Sequence, residues 1–503
     1  MSGTTVIKYI MQIFLMIYCF VCCSIFMMGY FYGCGYVMYN NFSVSQAIYH
    51  LAAIDTFDFS RNVILTILLP FSLSVGFILF TIKKPLLWLC HYCSDEKIKY
   101  WQKHGFFLSF ITSSVAALLG VFIVAFLPDE PVSVTFKNAH DAYMKIFNPA
   151  PYDTIIDDNF VDPKQIHFKQ KKPRNLIIIF AESFERTFTD ASLFGENLLP
   201  ELSNLGGTSV IGYKPLEEIA WTQVSIIATL CGITSKEYFP PRTLSKNIAC
   251  ISDITRKFGY NNYYLQGTTL KFLSTRTFFE DHNFQEIVGI DELPKIKEKL
   301  SDLQILSSKL RDVNFIGNVW DDNELLKVFQ QKVVTLSQEQ KPFLAVMATM
   351  NTHPYDGYTS PHCHKKYKGM RDALLCSDSE LSAFVKWYQQ QDFAADTTLV
   401  IMGDHLMMYS DIEKYLKKAS ERETLNLIWG CAAPKTDIQK PFNQYDWAPT
   451  LLEMAGFEWN EQKFALGTSL LSAKKTLQEE YGEILEKRLL NNSKLYESAI
   501  FEQ

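Results

Sequence analysis

Three runs without a single Asp, Glu, Lys or Arg occupy the first quarter of this 503-residue chain: Tyr9 to Tyr32, Val63 to Ile82 and Phe106 to Leu127. Each reaches the roughly 20 residues that cross a hydrocarbon core as a helix, so the pattern predicts a membrane domain of three helices over residues 1–128. A cleaved signal peptide competes for the first run. That run outlasts the usual apolar core of about 7 to 15 residues, and no small-x-small cleavage site follows it. Pro70 inside the second run is tolerated in a membrane helix.

The loops set the orientation. Lys83, Lys84, Lys97, Lys99 and Lys103 lie between the second and third runs, whereas Gly33 to Asn62 carries Asp55 and Asp58 against a lone Arg61. The positive-inside rule puts the lysine loop in the cytoplasm and everything after Leu127 on the far side. The net charge of −6 is small for this length and no basic run is present, which argues against nucleic acid as a partner.

Beyond the membrane region, Pro128, Pro131, Pro149, Pro151, Pro163 and Pro173 discourage long helices, so residues 129–174 read as a connector. Within it Phe136, Tyr143, Ile146 and Phe147 share roughly one helical face, as in a helix lying on a membrane surface; packing against a globular domain explains them equally well. Cysteines Cys231, Cys250, Cys363, Cys376 and Cys431 fall in the outer part. Four of them form two local pairs that suit disulfides in an oxidising compartment, and buried free thiols are the alternative.

From Asn175 the pattern alternates strand and helix. Leu176 to Phe180, Asn261 to Gln266, Phe343 to Thr349 and Thr398 to Met402 read as strands, while Ile251 to Phe258 and Asp378 to Gln390 read as helices. The fold class expected is α/β: a catalytic domain over 175–471 with a mostly parallel sheet between helices. Residues 472–503, with Lys474, Glu479, Glu480, Glu483, Glu486, Lys487 and Arg488, read as a charged, solvated helix.

Ligands of such sheets bind beyond the carboxyl ends of the strands. Glu182 follows the first strand, His353 follows Met350-Asn351-Thr352, and Asp404-His405 follows Ile401-Met402-Gly403. Thr222 opens an apolar helix, Gln223 to Leu230, closed by Gly232. A helix start with free N–H groups favours an anion such as a phosphate. Singly, each of these residues has an ordinary reading as a cap, a turn or a surface group.

Together they resemble the alkaline phosphatase superfamily, in its membrane-anchored sulfatase-like branch of lipoteichoic acid synthases, phosphoethanolamine transferases and phosphoglycerol transferases. Similarity is greatest to the phosphoglycerol transferases that decorate periplasmic glucans. The segments that carry it are Ala181-Glu182-Ser183-Phe184-Glu185-Arg186-Thr187, Trp221-Thr222, Ala228-Thr229-Leu230-Cys231-Gly232-Ile233 and Leu265-Gln266-Gly267-Thr268-Thr269-Leu270-Lys271-Phe272. They continue with Asp321-Asp322, Asn351-Thr352-His353-Pro354-Tyr355-Asp356-Gly357 and Asp404-His405-Leu406-Met407-Met408.

The resemblance implies that Glu182, Thr222, Asp404 and His405 bind a metal, that Thr222 is the nucleophile, and that His353 contacts the phosphoryl group. It implies substrate contacts at Trp221, Lys271 and Arg276, and disulfides Cys231 to Cys250 and Cys363 to Cys376. Arg276 stands one place off the arginine of lipoteichoic acid synthases, Leu273 replaces their tryptophan, and Tyr409 stands where they have a histidine. True sulfatases carry Cys or Ser at the nucleophile with Pro two and Arg four residues on; here Thr222, Val224 and Ile226 occupy those places, which disfavours sulfate ester hydrolysis.

Two carboxylates, a hydroxyl and an imidazole make a mostly hard donor set, suited to one divalent ion, Mn²⁺ ahead of Mg²⁺ or Zn²⁺. The expected function is transfer of phosphoglycerol from the donor phosphatidylglycerol to a cell-envelope glycan acceptor by a bacterial inner-membrane protein with a periplasmic catalytic domain. Phosphoethanolamine transfer to lipopolysaccharide, or an anchored phosphodiesterase, is the alternative.

Overall fold

The segment Asn-Leu-Ile-Ile-Ile-Phe-Ala offers nothing polar after its first residue, so it is stable only as a strand covered on both faces. In the computed structural model it is β1 (Asn175–Ala181), fully buried from Leu176 onward. The structure describes residues 151 to 502 apart from 235–242, 245, 272–273, 293–310, 314–316, 409, 497 and 499–500. The apolar runs Tyr9 to Tyr32, Val63 to Ile82 and Phe106 to Leu127, the connector face of Phe136, Tyr143, Ile146 and Phe147, and Phe272, Leu273 and Tyr409 lie outside the described residues. Among the described residues no helix is long and apolar enough to cross a membrane.

Seven further strands join β1 in one sheet: β2 (Thr208–Tyr213), β3 (Asn261–Gln266), β4 (Glu286–Val288), β5 (Phe343–Ala348), β6 (Thr397–Gly403), β7 (Asn426–Gly430) and β8 (Ile438–Phe442). Their order is β8-β2-β7-β6-β1-β5-β3-β4. All neighbours run parallel except β7, which lies antiparallel to both β6 and β2. The expectation of a mostly parallel α/β sheet holds; the antiparallel strand is an addition that the short run Asn-Leu-Ile-Trp-Gly did not announce.

Helices cover both faces. Residues Ile177, Ile179, Ala345, Met347, Leu399 and Ile401 pack in one core with apolar residues of Asp322–Gln338 and Met370–Gln389, among them Phe329, Val333, Phe384 and Val385. Their burial drives the assembly, at about 25 cal/mol per Å² of apolar surface removed from water. We label the helices in chain order α1 (Thr222–Cys231), α2 (Ile251–Lys257), α3 (Thr275–Asp281), α4 (Asp322–Gln338), α5 (Met370–Gln389) and α6 (Trp447–Met454). Helix α5 begins at Met370, well before the expected Asp378, because Gly369 with φ of 68° turns the chain into it.

The two local cysteine pairs are disulfides, Cys231 to Cys250 and Cys363 to Cys376, and Cys431 is free and exposed. The first ties the last residue of α1 to the residue that precedes α2.

The tail is not the single solvated helix expected from its charge. Its described residues include two short helices, Leu477–Tyr481 and Ile484–Leu489, separated by Gly482 at φ 58°. Leu477, Leu485 and Leu489 are buried, and Arg488 pairs with Asp153 at 2.6 Å. Apolar residues spaced among the charges fasten the tail to the domain.

Candidate active site

Register places the site. Gly403 pairs with Ala181 across β6 and β1, so the next residues, Asp404 and Glu182, emerge side by side at the carboxyl edge of the sheet. Glycine is required at 403: a Cβ there would lie 1.9 Å from the Phe184 carbonyl oxygen. Glu182 and Asp404 are buried, and His405 beside them is too.

Ser183 bends the chain between them. Its φ of 55° is in the left-handed region, a strained conformation that costs on the order of 1 to 3 kcal/mol and persists where the surroundings enforce it. From that position its backbone N–H donates to Asp404 Oδ1 at 2.7 Å and its hydroxyl to Glu182 Oε1 at 2.7 Å. The Asp404 oxygen also accepts the His405 N–H at 2.8 Å. Behind, the buried Glu185 accepts from Arg422 Nε at 3.0 Å and from the Met407 N–H at 2.8 Å, locking the loop after β1 to the loop after β6.

The His405 ring is oriented by its own neighbour. Nδ1 donates to the Leu406 carbonyl at 2.9 Å, and a carbonyl only accepts, so Nε2 carries the lone pair of the neutral ring. Nε2 sits 3.4 Å from Asp404 Oδ2 and 3.6 Å from Glu182 Oε1. Burial first, then the Glu182 charge, pushes the Asp404 carboxyl up to about 7. Burial works to lower the His405 imidazole, but the Asp404 and Glu182 carboxylates outweigh it and hold it above its ordinary range.

These features fit a divalent cation. One ligand atom from each of Glu182, Asp404 and His405 falls within 4.8 Å of the others. Asp404 Oδ2 is buried with no hydrogen-bond partner, an unsatisfied acceptor that a cation would satisfy. Among the described residues two other groups have metal-ligand chemistry, His362-Cys363-Cys376-Glu380 and Cys250-Asp253-His282, but their cysteines are spent in the disulfides.

Thr222 is brought to this cluster from the opposite direction. It is the first residue of α1, and its hydroxyl donates to Glu182 Oε2 at 3.0 Å. The preceding residue, Trp221, is extended and makes no side-chain cap, so the helix start, with its excess of N–H groups, faces the cluster beside the hydroxyl. The buried Gln223 accepts from Thr275 of α3 at 3.1 Å.

His353 lies on the loop after β5, its Nδ1 2.7 Å from the Pro354 carbonyl. Lys271 is exposed on the loop after β3. Arg276, in α3, is ion-paired with Glu292 and lies 3.7 Å from Glu280. Glu182, Thr222, Asp404 and His405 therefore form one constellation, and Trp221 adjoins it by sequence.

Three supporting residues carried no role in the sequence reading. Thr349 accepts the Glu182 N–H at 3.0 Å, and Thr352 donates to the Glu182 carbonyl at 2.5 Å. Asp322, at the start of α4, accepts the N–H groups of Met350 and Asn351 at 2.9 and 2.6 Å, shaping the loop that ends in His353. A paired acid directly ahead of a helical pattern, Asp321-Asp322, was the available signal.

The sulfatase family matches residues 174–457, more than half of the chain, and every member of the constellation falls inside that span. The chain belongs to the sulfatase family. Within this family it is similar to phosphoglycerol transferase I of Escherichia coli, 28% identical over 338 residues covering 63% of this chain, and to phosphoglycerol transferase I of Salmonella typhimurium, 29% identical over the same share. The chain spans only about two fifths, 41%, of the length of these relatives. A protein of the alkaline phosphatase superfamily from Vibrio parahaemolyticus superposes with a TM-score of 0.48 at 20% identity, covering 65% of this chain and 76% of that one.

Proposed function

We propose that this chain is a phosphoryl-group transferase that moves phosphoglycerol from phosphatidylglycerol to a cell-envelope glycan, with Thr222 as nucleophile. The observation that carries the reading is the Thr222 hydroxyl, hydrogen-bonded to Glu182 inside a buried acid–acid–imidazole cluster at a helix start. The similarity to phosphoglycerol transferase I supports phosphoglycerol as the headgroup, and the apolar runs before residue 128 suit an enzyme whose donor stays in a bilayer.

Glu182, Thr222, Asp404 and His405 would hold one divalent ion, with Mn²⁺ favoured by three oxygen donors and one nitrogen. When bound, such an ion lowers the pKa of the hydroxyl and offsets charge on the non-bridging phosphoryl oxygens. In the first step Thr222 Oγ1 attacks the diester phosphorus, its proton leaving along the hydrogen bond toward Glu182. The bond from phosphorus to the diacylglycerol oxygen breaks, giving a phosphothreonine diester. Proton exchange with the departing oxygen falls to His353 at Nε2, because Nδ1 is committed to the Pro354 carbonyl. In the second step an acceptor hydroxyl attacks the same phosphorus, its proton passing to His353 Nε2, and the bond from phosphorus to Thr222 Oγ1 breaks as that oxygen recovers the proton held at Glu182. The amides at the start of α1 stabilise negative charge on the phosphoryl group.

The test is diacylglycerol release by the full-length protein with Mn²⁺ from labelled phosphatidylglycerol, with labelled phosphatidylethanolamine in parallel. Release from phosphatidylglycerol alone supports the proposal. Release from phosphatidylethanolamine alone would transfer the assignment to phosphoethanolamine, and release from neither would contradict it.

A further inference from the structure

Ser360 is fully buried and has one hydroxyl proton, yet its Oγ lies 2.6 Å from Asp321 Oδ1 and 2.5 Å from Glu380 Oε1. One proton cannot serve two carboxylate acceptors, so one of the two acids must itself carry a proton and donate it to Ser360. Asp321 is the poorer candidate. Its Oδ1 already receives the Asn323 N–H at 3.1 Å and Asn351 Nδ2 at 3.2 Å, which leaves that oxygen no place for a proton of its own. Glu380 has less support: apart from Ser360 its Oε1 is approached by the half-exposed His362 Nε2 only at 3.5 Å, and its second oxygen, Oε2, is buried with no partner.

We propose that Glu380 is a positioning residue that works as a neutral acid, its proton given to Ser360 so that the Ser360 hydroxyl is aimed at Asp321 and the loop carrying His353 is held in place. The connection is short. Asp321 holds the Asn351 side chain, Asp322 holds the Met350 and Asn351 N–H groups, and the adjacent Thr352 reaches the Glu182 carbonyl. Glu380 touches neither the acid–imidazole cluster nor Thr222 in any of these bonds.

The charged groups around Glu380 agree. Asp321, just ahead of α4, and Asp322 at its start face it together with the half-buried Lys327, and the half-exposed His362 places Nε2 3.5 Å from Oε1. The Cys363 to Cys376 disulfide lies beside it, Cys376 Sγ being 3.5 Å from Oε1. Burial pushes the Glu380 carboxyl up to about 8, with the Asp322 and Asp321 charges adding to burial and the Ser360 hydrogen bond and Lys327 opposing it. Ionising Glu380 would leave three buried carboxylates together and take from Ser360 the proton that orders it.

The activity readout rests on the phosphoryl-transfer reading above; a stability readout does not. The experiment compares full-length wild type, Glu380→Gln and Glu380→Ala in detergent from pH 6 to 9.5, following phosphatidylglycerol cleavage and thermal unfolding on the same samples. A glutamine amide donates to Ser360 as a neutral acid does, but cannot ionise. Wild-type cleavage is expected to fall about tenfold per pH unit above 8. Glu380→Gln keeps near wild-type cleavage at pH 7 and loses that alkaline fall, while Glu380→Ala is impaired at every pH. Because the folded carboxyl titrates above its unfolded value, its stabilisation is present at low pH and lost as pH rises through about 8. The unfolding temperature of Glu380→Gln is therefore expected to depend less on pH than that of wild type. Equal slopes in the two proteins would overturn the proposal, as would a folded Glu380→Gln as inactive as Glu380→Ala. If no protein cleaves lipid, the phosphoryl-transfer reading fails and the slopes alone decide for Glu380.

Discussion

Thr222 and Glu182, 40 residues apart in sequence, meet at 3.0 Å through the Thr222 hydroxyl and Glu182 Oε2. One comes from the start of a helix and the other from the end of a strand, so the contact joins the helix layer to the carboxyl edge of the sheet. The hydroxyl is thereby placed among groups that suit a cation and beside amides that suit an anion.

Backbone closeness at this edge makes Gly403 sensitive. Gly403→Ala should lower stability by about 3 kcal/mol, since the methyl would meet the Phe184 carbonyl and force β1 and β6 apart. Thermal unfolding would show it as a drop of a few degrees, and an unchanged unfolding temperature would mean that the strand ends separate freely.

A divalent ion that binds the folded cluster should stabilise the protein. At about one hundred times its dissociation constant, Mn²⁺ adds about 2.7 kcal/mol, and chelation removes it. Asp404→Asn should abolish this shift, because the variant loses the buried oxygen that lacks a partner. Calorimetry with and without Mn²⁺ measures both effects; a shift that survives the substitution would place the ion elsewhere.

Much of the fold could be read before the structure, and the reasons differ by element. The strand Asn261–Gln266 matched its expected limits and β1 and β6 ran one residue longer at each end, because buried parallel strands are continuous apolar runs with sharp polar ends. The antiparallel strand Asn426–Gly430 was not legible, since its placement depends on pairing with β6 across the sheet and not on its own five residues. The tail misled because charge dominates its composition while three buried leucines decide its packing. In the site, Glu182, Thr222, Asp404 and His405 stood out at element ends. Ser183, Thr349 and Thr352 did not, since a serine or threonine near a strand end acquires its role only when the strands are in register.

Asp446 provides a pH prediction away from the site. Its carboxylate accepts the Asn443 and Thr468 N–H groups, yet burial pushes it up to about 7. A folded value above the ordinary carboxylate range means that the folded chain binds more protons than the unfolded one over that interval. This contribution to stability is present below about 4 and declines as pH rises through about 7. Asp446→Asn, whatever its absolute stability, should show a shallower decline between pH 5 and 8 in thermal unfolding; an identical slope would mean that Asp446 is ionised throughout.

The central claim is that Thr222 takes the phosphoryl group. The direct measurement is mass spectrometry of the peptide containing Thr222 after brief incubation of the full-length protein with Mn²⁺ and phosphatidylglycerol, without acceptor, in wild type and Thr222→Ala. The account predicts a glycerophosphoryl adduct on Thr222 in wild type, and in the variant no adduct and diacylglycerol release slowed by at least about a thousandfold with the fold intact. Diacylglycerol release by Thr222→Ala at the wild-type rate would contradict it.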